Sequence, residues 1–201
     1  MPPKPKFTRE EIVEAALRIA ADKGLKALTS RELGAALGSS ARPIFTVFDS
    51  MQEVFAEVRK AALSRFEEYA DKARNFTPVF KQVGLQMIIF AQEQPKLYRL
   101  LFMSEKPEAE TFDDIVRNLG DVALLCVDVM QEDYGLSREE AKLLFRHVWI
   151  YTYGVGALIA SGMCSFSPEE VQEMLSSDFF AMLELIKSGK AGNCTVIPQQ
   201  R

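Results

Sequence analysis

Histidine occurs once, at His147, tryptophan once, at Trp149, and cysteine three times, at Cys126, Cys164 and Cys194. A histidine-based zinc site needs further ligands, and none stand at suitable spacing from His147. Three widely separated cysteines with no CxxC pair leave a disulfide framework unsupported and fit a reducing cytoplasm. The chain lacks a Walker sequence, a G-x-S-x-G elbow and a G-x-G-x-x-G loop, and Gly154-Val155-Gly156 has neither a third glycine nor a preceding strand. Carboxylate pairs at Glu10-Glu11, Asp113-Asp114, Glu139-Glu140 and Glu169-Glu170 fall mostly in first helical turns, where the helix dipole accounts for them. No catalytic residue, metal or cofactor is assigned on these grounds, and the chain is not expected to be an enzyme. Alternating strand patterns and internal repeats are also missing, which points to an all-α protein.

What is there is ordinary in bulk and uneven in detail. Of 201 residues, 48% are hydrophobic and 26% charged, with a net charge of −4, so the whole molecule is no nucleic-acid sponge. Residues 1–48 nevertheless hold Lys4, Lys6, Arg9, Arg18, Lys23, Lys26, Arg31 and Arg42 against only five acids, a net +3 that leaves −7 on the rest. A basic head on an acidic body suggests that only the head meets a polyanion. The opening MPPKPKF has no apolar core of the kind a signal peptide needs. From His147 to Pro168 no residue is charged, a run long enough to span a bilayer. Two tyrosines, three glycines and a capping signal directly after it favour a buried helix over a membrane span.

Five segments share a start signal, Ser or Thr followed three residues later by Glu: Thr8–Glu11, Thr29–Glu32, Ser50–Glu53, Ser137–Glu140 and Ser167–Glu170. In each, the hydroxyl can accept from the N3 amide while the Glu reaches back to the cap amide. Phe7 with Ile12 and Leu28 with Leu33 add apolar staples, and Thr77-Pro78 and Ser167-Pro168 put proline at the first helical position. The expected elements are nine helices, at 8–23, 30–37, 41–47, 50–75, 78–94, 96–103, 110–134, 138–162 and 168–187. The tail SGKAGNCTVIPQQR carries no pattern of its own.

The stretch LTSRELGAALGSSARPIFTVF, residues 28–48, breaks its helical pattern at Gly38 and restarts. Leu33 and Leu37 face inward, Gly34 leaves room for a crossing segment, and Gly38 suits the left-handed stop of a helix. Ser40 is a candidate cap for the next helix, whose Ile44, Val47 and Phe48 turn inward and leave Arg42, Phe45 and Thr46 outside. Two turns cannot hold themselves together in water, so support must come from the first helix and the start of the fourth. The result is a three-helix head containing a helix-turn-helix. Arg42 can fork onto guanine or phosphate, Phe45 can meet thymine methyl groups or sugars, and Thr46 can reach either. Thr29, Ser30 and Arg31 offer amides and hydroxyls to phosphate, Ser40 and Ala41 lead into the reading segment, and Lys4 and Lys6 form an arm for sequence-independent contacts.

The run FTREEIVEAALRIAADKGLKALTSRELGAALGSSARPIFTVFDSMQEVF, residues 7–55, resembles the DNA-binding head of the TetR family of bacterial transcriptional regulators. The skeleton "I..AAL.I....G...LT.REL...LG.S...IF..F.S..E.F" is present almost without a break. The resemblance implies an all-helical homodimer, two heads on a palindromic operator, and a larger C-terminal domain that senses a small molecule. Departures fall at Ser39 (usually small and apolar), Phe45 (commonly Tyr), Val47 (often His or Tyr), and Asp49 and Met51 (frequently lysine). Each lost phosphate contact flattens the salt dependence of binding by roughly 0.9 units of log–log slope. The run Trp149…Tyr153-Gly154 resembles a subgroup with tryptophan, three residues, then His-Gly, with Tyr in place of the His.

The domains expected are 1–49 for DNA, 50–188 for ligand binding and dimerisation, and a tail from 189 to 201. The helix at 50–75, with Val54, Val58, Leu63 and Phe66 among charges, links head to body. The uncharged helix and the last one, apolar at Val171, Met174, Leu175, Phe179, Met182, Leu183 and Ile186, are expected to pair with their twins as a four-helix seam. Candidate ligand contacts are Met87, Phe90, Tyr98, Phe102, Met103, Cys126, Met130, Trp149 and Tyr153, large and mostly soft side chains that suit an apolar or aromatic effector. The expected partners are double-stranded operator DNA, a small-molecule effector and a second copy of the chain, with no membrane. The function expected is a ligand-responsive regulator, a repressor more than an activator. The alternative is a helical small-molecule binding protein whose head has drifted from DNA work.

Overall fold

The computed structural model describes residues 5–72, 79–104, 111–114 and 121–191. Lys4, Thr77-Pro78, the stretch leading into the expected 110–134 helix, Cys194 and most of the tail lie outside the described residues. Among those described there are eight α-helices: α1 Arg9–Lys23, α2 Ser30–Ala36, α3 Met51–Lys72, α4 Val79–Glu93, α5 Pro95–Phe102, α6 Asp121–Tyr134, α7 Arg138–Ala160 and α8 Pro168–Lys187. Two short 3-10 turns, Leu25–Ala27 and Ile44–Thr46, complete the head.

Full reciprocal capping boxes start α1, α7 and α8 at Thr8–Glu11, Ser137–Glu140 and Ser167–Glu170. The other two are half boxes. Thr29 accepts from the Glu32 amide, but the Glu32 carboxylate pairs with Lys23 on α1 instead of reaching back. Ser50 accepts from the Glu53 amide at 3.3 Å, while Glu53 takes the Asp49 amide at 2.8 Å and the Arg9 guanidinium at 2.7 Å. In both places an interhelical ion pair has taken the carboxylate that sequence spacing assigns to the cap.

The expected helix over 41–47 is not an α-helix. The chain turns through Ala41–Pro43 and makes one 3-10 turn, with i→i−3 bonds from Ile44 to the Ala41 carbonyl and from Val47 to the Ile44 carbonyl. Pro43 disfavours the α conformation in Arg42 before it, which works against a continuous helix across this stretch. The turn also has no side-chain cap, so Ser40 does not act as one. Burial still follows the expected stripe at Ile44 and Phe48, which are 0% and 1% exposed.

One apolar core runs from the head through α3, α4 and α5, from Ile12, Leu33, Ile44 and Phe48 to Phe66, Phe90, Tyr98 and Leu101. A second gathers α6, α7 and α8 around Met130, Leu144, Phe179 and Leu183, and Phe102 packs against both. Helix α5 joins head to body by hydrogen bonds at three places. Lys96 donates to the Asp22 carbonyl at the end of α1, Arg59 of α3 donates to the carbonyls of Leu100 and Leu101, and Tyr98 donates to the Tyr153 carbonyl of α7 at 3.0 Å.

Helix α7 is long and apolar enough to cross a membrane by composition. In the fold it packs against α4, α5, α6 and α8. Its charged first turns hold Arg138, Glu139, Glu140, Lys142 and Arg146, so the uncharged helical part, 147–160, extends only roughly 20 Å, short of a bilayer core of about 30 Å. The uncharged run is further broken after Ala160 by Gly162, at φ 75°.

Candidate DNA-contacting surface and ligand cavity

In the head, α2 and the segment after it touch backbone to backbone. A Cβ on Gly34 would lie 2.8 Å from the Ala41 nitrogen and 2.8 Å from the Ser40 carbonyl carbon, so only glycine permits this approach. Gly38, at φ 64°, makes the reversal between them. The segment after the turn is therefore set by α2 from below and held by Ile44 and Phe48 in the core. Arg9 stacks its guanidinium 4.3 Å from the Phe48 ring centre and pairs with Glu53 and Glu57 at 2.7 and 3.4 Å, fastening the start of α3 to α1. The Asp49 amide and Arg9 hold the Glu53 carboxyl below its usual range, and Glu53 in turn raises Arg9.

Arg42, Phe45 and Thr46 all face solvent, with Phe45 46% exposed. The Thr46 hydroxyl donates to the Pro43 carbonyl at 2.6 Å, leaving its oxygen as an acceptor. Thr29, Arg31 and Ser40 are exposed, Ser30 and Ala41 half-buried, and the Thr29 hydroxyl already caps α2. Lys6 is not a free arm: its ammonium donates to the Ser39 hydroxyl at 3.0 Å, against the turn of the helix-turn-helix. That contact also gives a use to Ser39, whose polarity departs from the family pattern.

The nine candidate ligand residues do not form one site. Met87, Cys126, Met130 and Trp149 line a small hollow between α4, α6 and α7, with Val83, Gly84, Phe145, Val148 and Thr152. Its volume is about 40 Å³. An adjoining hollow of about 170 Å³ shares Gly84 and Val148 and opens between Lys81, Tyr134, Leu175, Ser176, Phe179 and Phe180. Phe90, Tyr98 and Phe102 belong instead to an aromatic packing cluster with Phe66, at ring-centre distances from 4.8 to 5.5 Å. Tyr153 stacks on Trp149, 5.3 Å centre to centre and 16° from parallel, behind the cavity wall. Met103 follows the end of α5, is 40% exposed, and lines neither hollow. Burial pushes the Cys126 thiol up to about 12 and raises the Tyr98 phenol as well.

Sequence reasoning missed Gly84 and Thr152. A single Thr in an uncharged helix, and a single Gly in another, carry no local signal; only their meeting across α4 and α7 gives them meaning. The expected inward and outward faces of the last two helices also need correction. Val171, Leu175, Phe179, Leu183 and Ile186 pack inside their own chain, and so do Gly156 and Ala160. The apolar residues left outside are Ile150 and Leu158 on α7, Met163 in the following loop, and Phe180 and Leu185 on α8.

Residues 12–58 match the family model described as bacterial regulatory proteins of the tetR family, and residues 80–179 match a tetracyclin repressor-like C-terminal domain. A comparison with curated protein sequences finds no significant match. Among solved structures, a transcriptional regulator from Rhodococcus sp. Rha1 superposes with a TM-score of 0.62 at 16% identity, over 89% of this chain and 97% of that one. A TetR-like transcriptional regulator from the same organism gives 0.57 at 14%, covering 91% and 95%. A protein of Mesorhizobium loti MAFF303099 assigned to the TetR-family transcriptional regulators gives 0.56 at 20%, covering 89% and 98%. At such identities these three speak for the fold alone, and it is the two family matches, one over the head and one over the body, that identify the chain. It belongs to the TetR family of DNA-binding regulators, all-α, with an N-terminal helix-turn-helix head and a C-terminal ligand-binding domain.

Proposed function

We propose that the chain is a transcriptional repressor that seats two heads on a palindromic operator as a homodimer and is released by a small apolar or aromatic effector. The observation that carries this is the outward set Arg42, Phe45 and Thr46 on a segment fixed from beneath by Gly34, Ile44 and Phe48. An exposed phenylalanine beside an arginine is a poor choice for bare water and a good one for the major groove. Arg42 and Phe45 address base edges, Thr46 accepts from a base or sugar, Lys6, Thr29, Ser30, Arg31, Ser40 and Ala41 flank them on the phosphate side, and Lys4 adds a sequence-independent phosphate contact. Residues 1–49 form the DNA-binding unit, 50–188 the effector and dimerisation unit, and 189–201 a tail. The effector lies against Met87, Cys126, Met130 and Trp149, and the protein works in the cytoplasm.

A gel shift with duplex DNA from around the chain's own gene tests the reading. Retardation is expected on a palindrome with half-sites about 34–36 Å apart, one helical turn. Arg42→Ala should abolish it while leaving thermal unfolding unchanged. Unimpaired binding by that variant would remove Arg42 from the interface. No retardation at all by the unaltered protein would favour a helical small-molecule binder with a lapsed head, a reading to which Asp49 and Met51, in positions where lysine is frequent, lend weight.

A further inference from the structure

Resting on that regulator reading, we infer that the effector is a compact, uncharged molecule of one aromatic ring and a short arm, whose single hydrogen-bonding group pairs with the Thr152 hydroxyl.

Thr152 is 2% exposed, and its Oγ1 has no hydrogen-bond partner. A buried hydroxyl left unpaired costs free energy, and Thr152 stands in the wall of the inner hollow of about 40 Å³. That hollow has room for one polar group of a few atoms. The outer hollow of about 170 Å³ matches the size of apolar cavity, on the order of 150 Å³, that takes one benzene ring. The two hollows therefore divide a ligand into ring and arm. The inner wall is Val83, Gly84, Met87, Cys126, Met130, Phe145, Val148 and Trp149 besides Thr152, with no cationic side chain. A carboxylate there would be stripped of water with no counter-charge, so the arm ends in a hydroxyl or carbonyl. Cationic Lys81 stands only at the outer hollow.

Gly84 stands in the wall of both hollows. A Cβ built on it would lie 3.6 Å from Thr152 Oγ1 and 3.7 Å from Leu175 Cδ1, ordinary contact distances. Gly84→Ala would thus place a methyl group in the shared wall without strain, separating loss of binding from loss of fold.

Trp149, the only tryptophan, lines the inner hollow, so its emission reports occupancy in the full-length protein. Titrations with 2-phenylethanol, propylbenzene and phenylacetate, on the unaltered chain, Thr152→Val and Gly84→Ala, test the inference. 2-Phenylethanol should bind about tenfold more tightly than propylbenzene, the worth of one hydrogen bond, and phenylacetate should bind more weakly than 2-phenylethanol. In Thr152→Val the alcohol's advantage should fall to within about twofold, the hydroxyl partner being gone. In Gly84→Ala the saturable signal should disappear while the melting temperature rises. Equal binding of propylbenzene, tightest binding of phenylacetate, an alcohol preference that survives Thr152→Val, or no saturable change with any probe would each overturn it. The operator shift, run without probe on the same three proteins, is independent. A retained shift with failed probe binding sinks this inference alone, and a lost shift in the unaltered protein sinks the regulator reading.

Discussion

The Cys126 thiol is 3% exposed and raised to about 12 by desolvation, whereas Cys164, in the loop after α7, is exposed. Because only the thiolate attacks an alkylating reagent, raising a thiol from its ordinary 9.0 by three units lowers the reactive fraction by about a thousandfold. Native protein treated with iodoacetamide at pH 8 should be modified at Cys164, with Cys126 at least about a hundredfold slower than in denaturant. Peptide mass mapping reads both sites in one digest, and comparable native rates would mean that the cavity wall is open. The same scale separates what the sequence made legible from what it hid. Phe45 reads as exposed because its neighbours Ile44 and Phe48 must be buried for a short segment to stay folded. Thr152 does not read as a site, since its importance lies in an absent partner, and a partner's absence is a fact about three-dimensional neighbours.

Elements were legible where the backbone chemistry is local. The hydroxyl and carboxylate of a capping box stand three residues apart, so the starts of α1, α7 and α8 follow from the residue order alone. The 41–47 segment shortened to a 3-10 turn for a reason also written in the chain, the restriction that Pro43 places on Arg42 before it, but apolar spacing outweighed it. The crossing of α5 and α7 was not legible at all. Tyr98 lies against Gly156 so closely that a Cβ there would sit 2.4 Å from its hydroxyl oxygen, and the phenol donates to the Tyr153 carbonyl one turn away. Tyr98 is fully buried among packed rings and has no room to withdraw. Gly156→Ala should therefore destabilise the fold by about 3 kcal/mol, the cost of overpacking a filled core. The same substitution at Gly84 should stabilise it by about 1 kcal/mol through helix propensity. Urea denaturation of the two variants measures the difference, and similar midpoints would show that α5 can slide away from α7.

For the whole molecule, the question is what covers the apolar side chains left outside. Ile150, Gly154 and Leu158 recur at one-turn spacing on α7; Ile150 and Leu158 are 51% and 38% exposed, and nothing lies within 4 Å of where a Gly154 side chain would begin. Phe180 and Leu185 of α8 are 57% and 42% exposed. A water-soluble monomer rarely leaves such a set uncovered, and a small residue in the middle of the stripe lets a second helix approach. The residues that the sequence assigned to a seam, among them Val171, Leu175 and Phe179, pack inside their own chain, because apolar periodicity does not say whether a stripe meets its own chain or another copy. If α7 and α8 form the two-fold seam, Ile150→Glu combined with Leu158→Glu should convert a particle of about twice 22.6 kDa into one of 22.6 kDa by light scattering, with helix content unchanged. The consequence extends to DNA. Each phosphate neutralised contributes about −0.9 to the slope of log affinity against log salt, so one head in place of two should roughly halve that slope. A double variant that remains a dimer would move the seam elsewhere, and an unaltered protein that is monomeric at operator-binding concentrations would leave the two heads without the shared axis that a palindrome requires.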